Sequence, residues 1–453
     1  MSKRNFILLV IVIIIALVAI FGFLYFRQSP ATTPTGSSTG TNFFSQFNPF
    51  GSGKTNTPPT TTPPVDVSGY VPPVTTPAEQ PKFVKVSTMP IAGFAAFSKE
   101  RLKAVPVVVP DVTTTITTSG GTPPKMVAKT TKVVAPLTEF APALRYVDKT
   151  TGNIFETFAD KISEAKFSTT VIPKVYDAYF GNKGQSVVMR YLKGATDTIQ
   201  TFVGTLPKEL FGANPETTYE IKGSFLPDNV ESISVLPDTS KLFYLFDSGD
   251  NMIGTTLNFA DNKKVQVFSS PFTEWTGYWP NSTAVTFTTK PSGSVPGYMY
   301  TLNLGNKSFT NTLGNINGLT TLEAPNGKLV LYGDNNLNLS VYHTDTKNSD
   351  LLSVRTMPEK CVWGKASDAL YCAVPKSINA GLYPDTWYQG EVSFDDQIWK
   401  IDIKTGNATM ILDPATAVGG TEIDGTKLAL DDGENYLFFV NKKDSYLWEL
   451  NLK

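Results

Sequence analysis

The chain has 453 residues and a net charge of −1, so it carries no electrostatic footprint for nucleic acid. Hydrophobic residues make up 41% of it and aromatic residues 12%, enough for a substantial core. The single histidine, His343, leaves Ser-His-Asp and Cys-His mechanisms few ways to exist. With only two cysteines beside it, a tetrahedral metal site cannot be completed, and no cofactor is expected.

Met1–Arg4 is basic, and Phe6–Phe26 is an unbroken apolar run. Its length matches the ~20 residues that span a bilayer and exceeds the ~7–15 of a signal-peptide core. Lys3 and Arg4 precede it, whereas only Arg27 follows closely. Residues 1–27 are therefore expected to be a single-pass anchor in the cell membrane. The N-terminus would be cytoplasmic and the remainder extracytoplasmic; a cleaved signal is the alternative. Residues 28–81 are rich in Thr, Pro, Ser and Gly and nearly uncharged, which predicts a disordered linker. Phe43, Phe44, Phe47 and Phe50 form an aromatic island in it, suited to the membrane interface or to a short recognition motif. Gly51–Thr55 mimics the end of a phosphate loop, but no strand or helix flanks it.

From about Lys82 the pattern becomes one of short strands and tight turns, and it repeats. Leu322–Asn348 is the clearest copy. Asn326-Gly327 lies between two apolar runs, a hairpin signal in which both central residues would take positive φ. Leu337, Leu339 and Val341 then alternate with polar positions at the period of a strand. A third strand recurs as aromatic, any, aliphatic, Asp or Asn, then a turn. Copies are Tyr300–Asn303, Tyr342–Asp345, Trp399–Asp402 and Trp448–Asn451, with Arg145–Asp148 as a variant. First-hairpin turns fall near Ser98-Lys99, Gly181-Asn182, Pro237-Asp238, Pro280-Asn281, Pro325-Asn326, Ala366-Ser367 and Gly433-Glu434. These seven units, about 53 residues each, exceed the about 40–45 of compact propeller repeats because some carry insertions.

Small sheets of this kind cannot hide their apolar faces alone and must stack. The expected fold is all-β, a seven-bladed β-propeller, preceded by one transmembrane helix and the linker. Its units are expected at about residues 91–160, 162–226, 227–270, 271–315, 316–357, 358–413 and 421–453. The last unit holds only three strands, so residues 82–87 are expected to supply its fourth and close the ring. Asn153–Ala165 is read as strand in the first unit. The pattern resembles WD-repeat-like propellers of the bacterial Tol type, which implies an envelope-associated repeat surface. The insertions Pro110–Pro142, Pro291–Gly297 and Ser377–Asp396 are all expected between second and third strands, on one decorated face.

Cys361 and Cys372 would oppose each other across the Ala366-Ser367 hairpin, within reach of a disulfide. The stretch Ser377–Asp396 holds Tyr383, Trp387, Tyr388, Glu391, Phe394, Asp395 and Asp396, aromatics and acids suited to contacting a glycan or an envelope protein. Alternatively, Trp387 and Tyr388 pack down and seal the sixth blade. Asp334, Asn336 and Asn338 have calcium-loop spacing, but Leu339 stands where that loop needs glycine, so a polar turn is expected. The expected function is a membrane-tethered, monomeric binding or scaffolding module. The alternative is a carbohydrate-active enzyme using carboxylates at the propeller mouth, with Glu274, Glu391, Asp395 and Asp396 as candidates.

Overall fold

The computed structural model describes residues 82–103, 138–194, 198–208, 218–417 and 420–453. Among them, 28 strands form seven antiparallel sheets of four strands each. First strands of neighbouring sheets follow one another around a ring, that of blade 5 meeting Pro358–Lys360 just before that of blade 6, and the first strand of blade 7 meets that of blade 1. This is a seven-bladed β-propeller. Its first strands are Ile91–Leu102, Val175–Gly181, Val230–Val235, Trp275–Asn281, Thr320–Glu323, Cys361–Trp363 and Gly425–Leu430, in blades 1 to 7.

The ring closes as expected. Phe83–Lys85 pairs with Leu447–Asn451, with Phe83 opposite Leu450 and Lys85 opposite Trp448. The rings of Phe83 and Trp448 stack at 4.8 Å between centroids. Two ends of the chain thus share one sheet, and no blade is left with an open seam.

The cores lie between blades. Each is built from alternate residues of two adjacent sheets. Val147 and Ile154 of blade 1 meet Val175 and Met189 of blade 2, and Phe243 of blade 3 meets Trp279 and Phe287 of blade 4. Burying both faces of each thin sheet is what holds the ring together.

Blade 1 departs from expectation. Ile91–Leu102 runs straight through Ser98-Lys99 and pairs with Thr138–Asp148 along its whole length. The polar residues that read as a turn are ladder residues with charged partners. Lys99 bonds Glu156 at 2.5 Å, and Arg101 bonds both Glu139 and Asp160. Arg145–Asp148 is therefore a second strand, not a third. Asn153–Ala165, read as one strand, holds two, Ile154–Phe158 and Lys161–Lys166. The latter crosses the expected boundary at residue 162 and is the fourth strand of blade 1, with Phe155 opposite Lys166. Leu102 ends a first strand and Thr138 begins a second, so the expected position of Pro110–Pro142 between second and third strands does not hold; residues 104–137 themselves lie outside the described ones. Connections from first to second strand leave one end of the ring, and those from second to third leave the other.

The hairpin at Asn326-Gly327 also differs in its turn. Gly327 has φ +69° and its N–H donates to Ala324 O, while Asn326 does not adopt positive φ. Pro325 pins its own φ near −65°, so a type I turn with glycine in the left-handed position is the solution. Among the described residues no helix is long and apolar enough to cross a membrane; Phe6–Phe26 and the linker lie outside them.

Candidate functional site at the mouth of the central channel

Cys361 opposes Cys372 across the first hairpin of blade 6, and the two form a disulfide. From the same blade springs the loop Ser377–Asp396, between Ala369–Pro375 and Asp396–Asp402. Most of its aromatics pack inward. Tyr383, Trp387 and Phe394 are buried with Leu337 and Met357.

Beneath them lies an ionic cluster. Lys360, Asp396 and Asp424 have side chains with no exposed surface. Lys360 Nζ stands 2.7 Å from Asp396 Oδ2 and also bonds Asp424 Oδ1. Asp424 Oδ2 accepts from Trp387 Nε1 at 3.0 Å, Ser393 Oγ at 3.1 Å and Phe394 N at 3.1 Å. Burial opposes the charge of Asp424, but Lys360 and these donors outweigh it and hold its carboxyl below the usual range. Asp396 is less well served. Its Oδ2 accepts from Gly425 N at 2.7 Å, yet Oδ1 has no partner among the described residues. Burial therefore pushes it up to about 6 despite Lys360. The cluster pins the aromatic loop to blades 6 and 7. Trp387, Phe394 and Asp396 belong to this structural lock rather than to an open surface.

Tyr388 takes the other direction. It follows Trp387 in the single helical turn Asp385–Tyr388, stays 43% exposed, and donates its hydroxyl to Glu359 Oε1. Both residues border a cavity of about 370 Å³ at this end of the channel. They keep open surface toward it, but protein surrounds them on the other sides. That desolvation raises both carboxyl and phenol. Tyr388 is the one loop candidate brought to the channel. Asp395 is paired with Lys376 at 3.0 Å, and Glu391 is exposed without lining the cavity.

The rest of the cavity wall escaped the sequence reading. Ser232, Thr276, Thr288, Thr320 and Thr321 supply hydroxyls, and Ile233, Leu322 and Pro291 supply apolar surface. Charged groups at this end are largely matched. Arg190 bonds Asp177 at 3.2 Å, and its guanidinium also donates to Val230 O and Glu231 O. Lys427 reaches Asp177 at 2.6 Å, and Lys290 bonds Glu274 at 2.8 Å. Glu231 is pushed up by desolvation, partly countered by Lys290. The available signal was positional: Glu231, Thr276, Thr320 and Glu359 all sit at or just before the start of a first strand, where a propeller lines its channel.

No protein-family model matches the chain, and no curated protein matches it. Solved structures similar in fold include a functionally unknown protein from Desulfotomaculum acetoxidans, at 9% identity over 68% of this chain and 89% of that one, with a TM-score of 0.41. An oligogalacturonate lyase in complex with manganese is 8% identical over 69% of this chain and 85% of that one, TM-score 0.44. The oligogalacturonate lyase of Vibrio parahaemolyticus is 6% identical over 69% and 86%, TM-score 0.44. The likeness is one of fold and says nothing of activity. The seven-bladed architecture stands on the sheets described above, and the narrower WD-repeat or Tol-type kinship is not shown.

Proposed function

We propose that this chain is a membrane-tethered, extracytoplasmic binding or scaffolding module of the cell envelope, which engages an envelope glycan or protein at the mouth of its channel. The observation that carries the reading is the cavity wall: a band of serine and threonine hydroxyls, with Tyr388 and Glu359 at its rim and Arg190 in its wall. Thr288 and Thr321 bond each other and Ser232 bonds Gly277, so these oxygens are held in place, while Thr276 and Tyr388 stay exposed. A polar wall of little net charge suits a polar ligand held without chemistry. The carboxylates named from sequence for a glycosidic mechanism do not line this cavity, whose own acids are Glu231 and Glu359; Glu391 is exposed away from it. Asp396 lies in the buried lock, Asp395 is paired with Lys376 and Glu274 with Lys290.

The test is a binding screen of envelope glycans and envelope proteins against the intact chain in detergent. Tyr388→Ala and Thr276→Val, both at exposed positions, are expected to weaken the best binder roughly tenfold each. Unchanged affinity in both variants rejects the channel mouth as the site. Removal of residues 1–27 is expected to release the protein from the membrane fraction, and retention would reject the tether.

A further inference from the structure

The seams between blades are unequal. Between blades 5 and 6, twelve buried apolar residues pack together, Leu331, Val341, Trp363 and Leu370 among them. Between blades 4 and 5 the described residues supply four: Met299, Leu319, Val330 and Tyr342. Where this thin seam runs out, a groove of about 570 Å³ opens at the end of the ring opposite the channel cavity.

Glu323 lines that groove. It is 5% exposed, and among the described residues its carboxyl has no hydrogen-bond or ion-pair partner. Its place in the hairpin makes this unusual. Glu323 pairs with Val330 as Val235 pairs with Leu242, Trp363 with Leu370, and Leu430 with Leu437. Those three blades put an apolar side chain at this place, and blade 5 puts an acid. A buried acid without a partner is costly, and burial pushes Glu323 up to about 7.

A hydrogen-bond donor stands close by. Asn281 Oδ1 is occupied by Thr283 N, Thr283 Oγ and Ala284 N, which leaves its Nδ2 free to face Gly327. A Cβ at Gly327 would stand 3.1 Å from Asn281 Nδ2 and 3.5 Å from Glu323 Oε1, so donor and acceptor flank one notch. Threonine and asparagine side chains form most of the remaining wall, and Lys347 is exposed at the rim. Charge complementarity to Glu323 selects an ammonium or guanidinium group, and Asn281 Nδ2 is matched by a carbonyl on the same ligand. A basic residue within a peptide carries both.

We propose that this groove docks a lysine or arginine side chain of a partner polypeptide, with Glu323 as counter-ion and Asn281 as donor to the partner's backbone carbonyl. The site is independent of the channel mouth, so failure here leaves that reading standing.

Calorimetry on the intact chain tests it with four probes: acetyl-Gly-Lys-Gly-amide, acetyl-Gly-Arg-Gly-amide, the norleucine analogue and n-butylamine. The two basic peptides are expected to bind, with the norleucine peptide at least about tenfold weaker. Binding is expected to strengthen several-fold from pH 6 to pH 8, as Glu323 ionises. E323Q is expected to weaken the Lys peptide about tenfold. Lys347→Glu, on the exposed rim, is expected to strengthen it, and this variant carries the test if E323Q does not fold. Equal binding of the norleucine peptide, an unaffected E323Q, or no binding at about 10 mM peptide overturns the proposal. Equal binding of n-butylamine overturns the assignment to a peptide.

Discussion

The seam between blades 6 and 7 and the seam between blades 4 and 5 both bury acids, with different outcomes. In the first, Lys360 stands between Asp396 and Asp424, and Asp424 collects three further donors. In the second, Glu323 stands alone. The carboxyls grade accordingly: Asp424 is held low, Asp396 with one unsatisfied oxygen rises to about 6, and Glu323 rises to about 7. Glu449, buried beside Asp160 and Asp431 with an unsatisfied Oε2, is pushed up to about 8, burial being the main cause. Burial alone does not decide the charge of an acid in this ring. The number of donors that burial brings with it does. One seam uses its acids to pin a loop; the other leaves its acid facing a groove.

The largest expected effect comes from making the paired seam resemble the unpaired one. Lys360→Met leaves two buried aspartates facing each other and is expected to cost about 3–5 kcal/mol of stability in urea denaturation at pH 7. A loss under 1 kcal/mol would mean the cluster contributes little. The converse change, E323Q, sharpens the contrast through pH. The folded carboxyl titrates near 7 and the unfolded one near 4.5. Stability is thus full below about pH 4.5 and is lost as pH rises toward 7, by about 3 kcal/mol. E323Q and the parent should match at pH 4, with the variant more stable by about that amount at pH 8. Parallel stability curves across this range would show that Glu323 is not so perturbed. The variant should gain stability while losing the basic peptide, as expected where a binding residue is kept at a cost to the fold. The smallest effect is expected from Trp387→Phe. It keeps most of the packing but removes the indole donor to Asp424, for a loss of about 1–2 kcal/mol.

Much of the ring was legible because its signals are local. Turn residues at fixed offsets marked the first hairpins of blades 2 to 7, and the aromatic-to-Asp strands marked third strands at Tyr300, Tyr342, Trp399 and Trp448. Counting three strands in the last unit was enough to assign Phe83–Lys85 to it, and opposed register was enough to pair Cys361 with Cys372. Blade 1 was misread because Ser98–Arg101 is polar in the way a turn is polar. Its ladder partners run from Pro142 back to Glu139, and its ion-pair partners Glu156 and Asp160 lie farther still along the chain; composition does not reveal pairing at that range.

The sites divide the same way. The packing-down alternative holds for Trp387 and not for Tyr388, which stays exposed at the channel, whereas Phe394 and Asp396, expected at a contact surface, are drawn by Lys360 and Asp424 into a buried lock. The channel mouth and the Glu323 groove were out of reach. The mouth draws on blades 2 to 6, and the groove on the turns of blades 4 and 5.

The amino-acid order by itself determined the period, the hairpins, the disulfide and the closing strand, because each depends on neighbours in the chain or on alternation at a period of two. Only the closed ring decided which polar side chains share a cavity and which acids find a cation. Those contacts join blades whose separation in sequence carries no periodic trace, and the charge of a buried carboxyl depends on which donors the fold brings beside it.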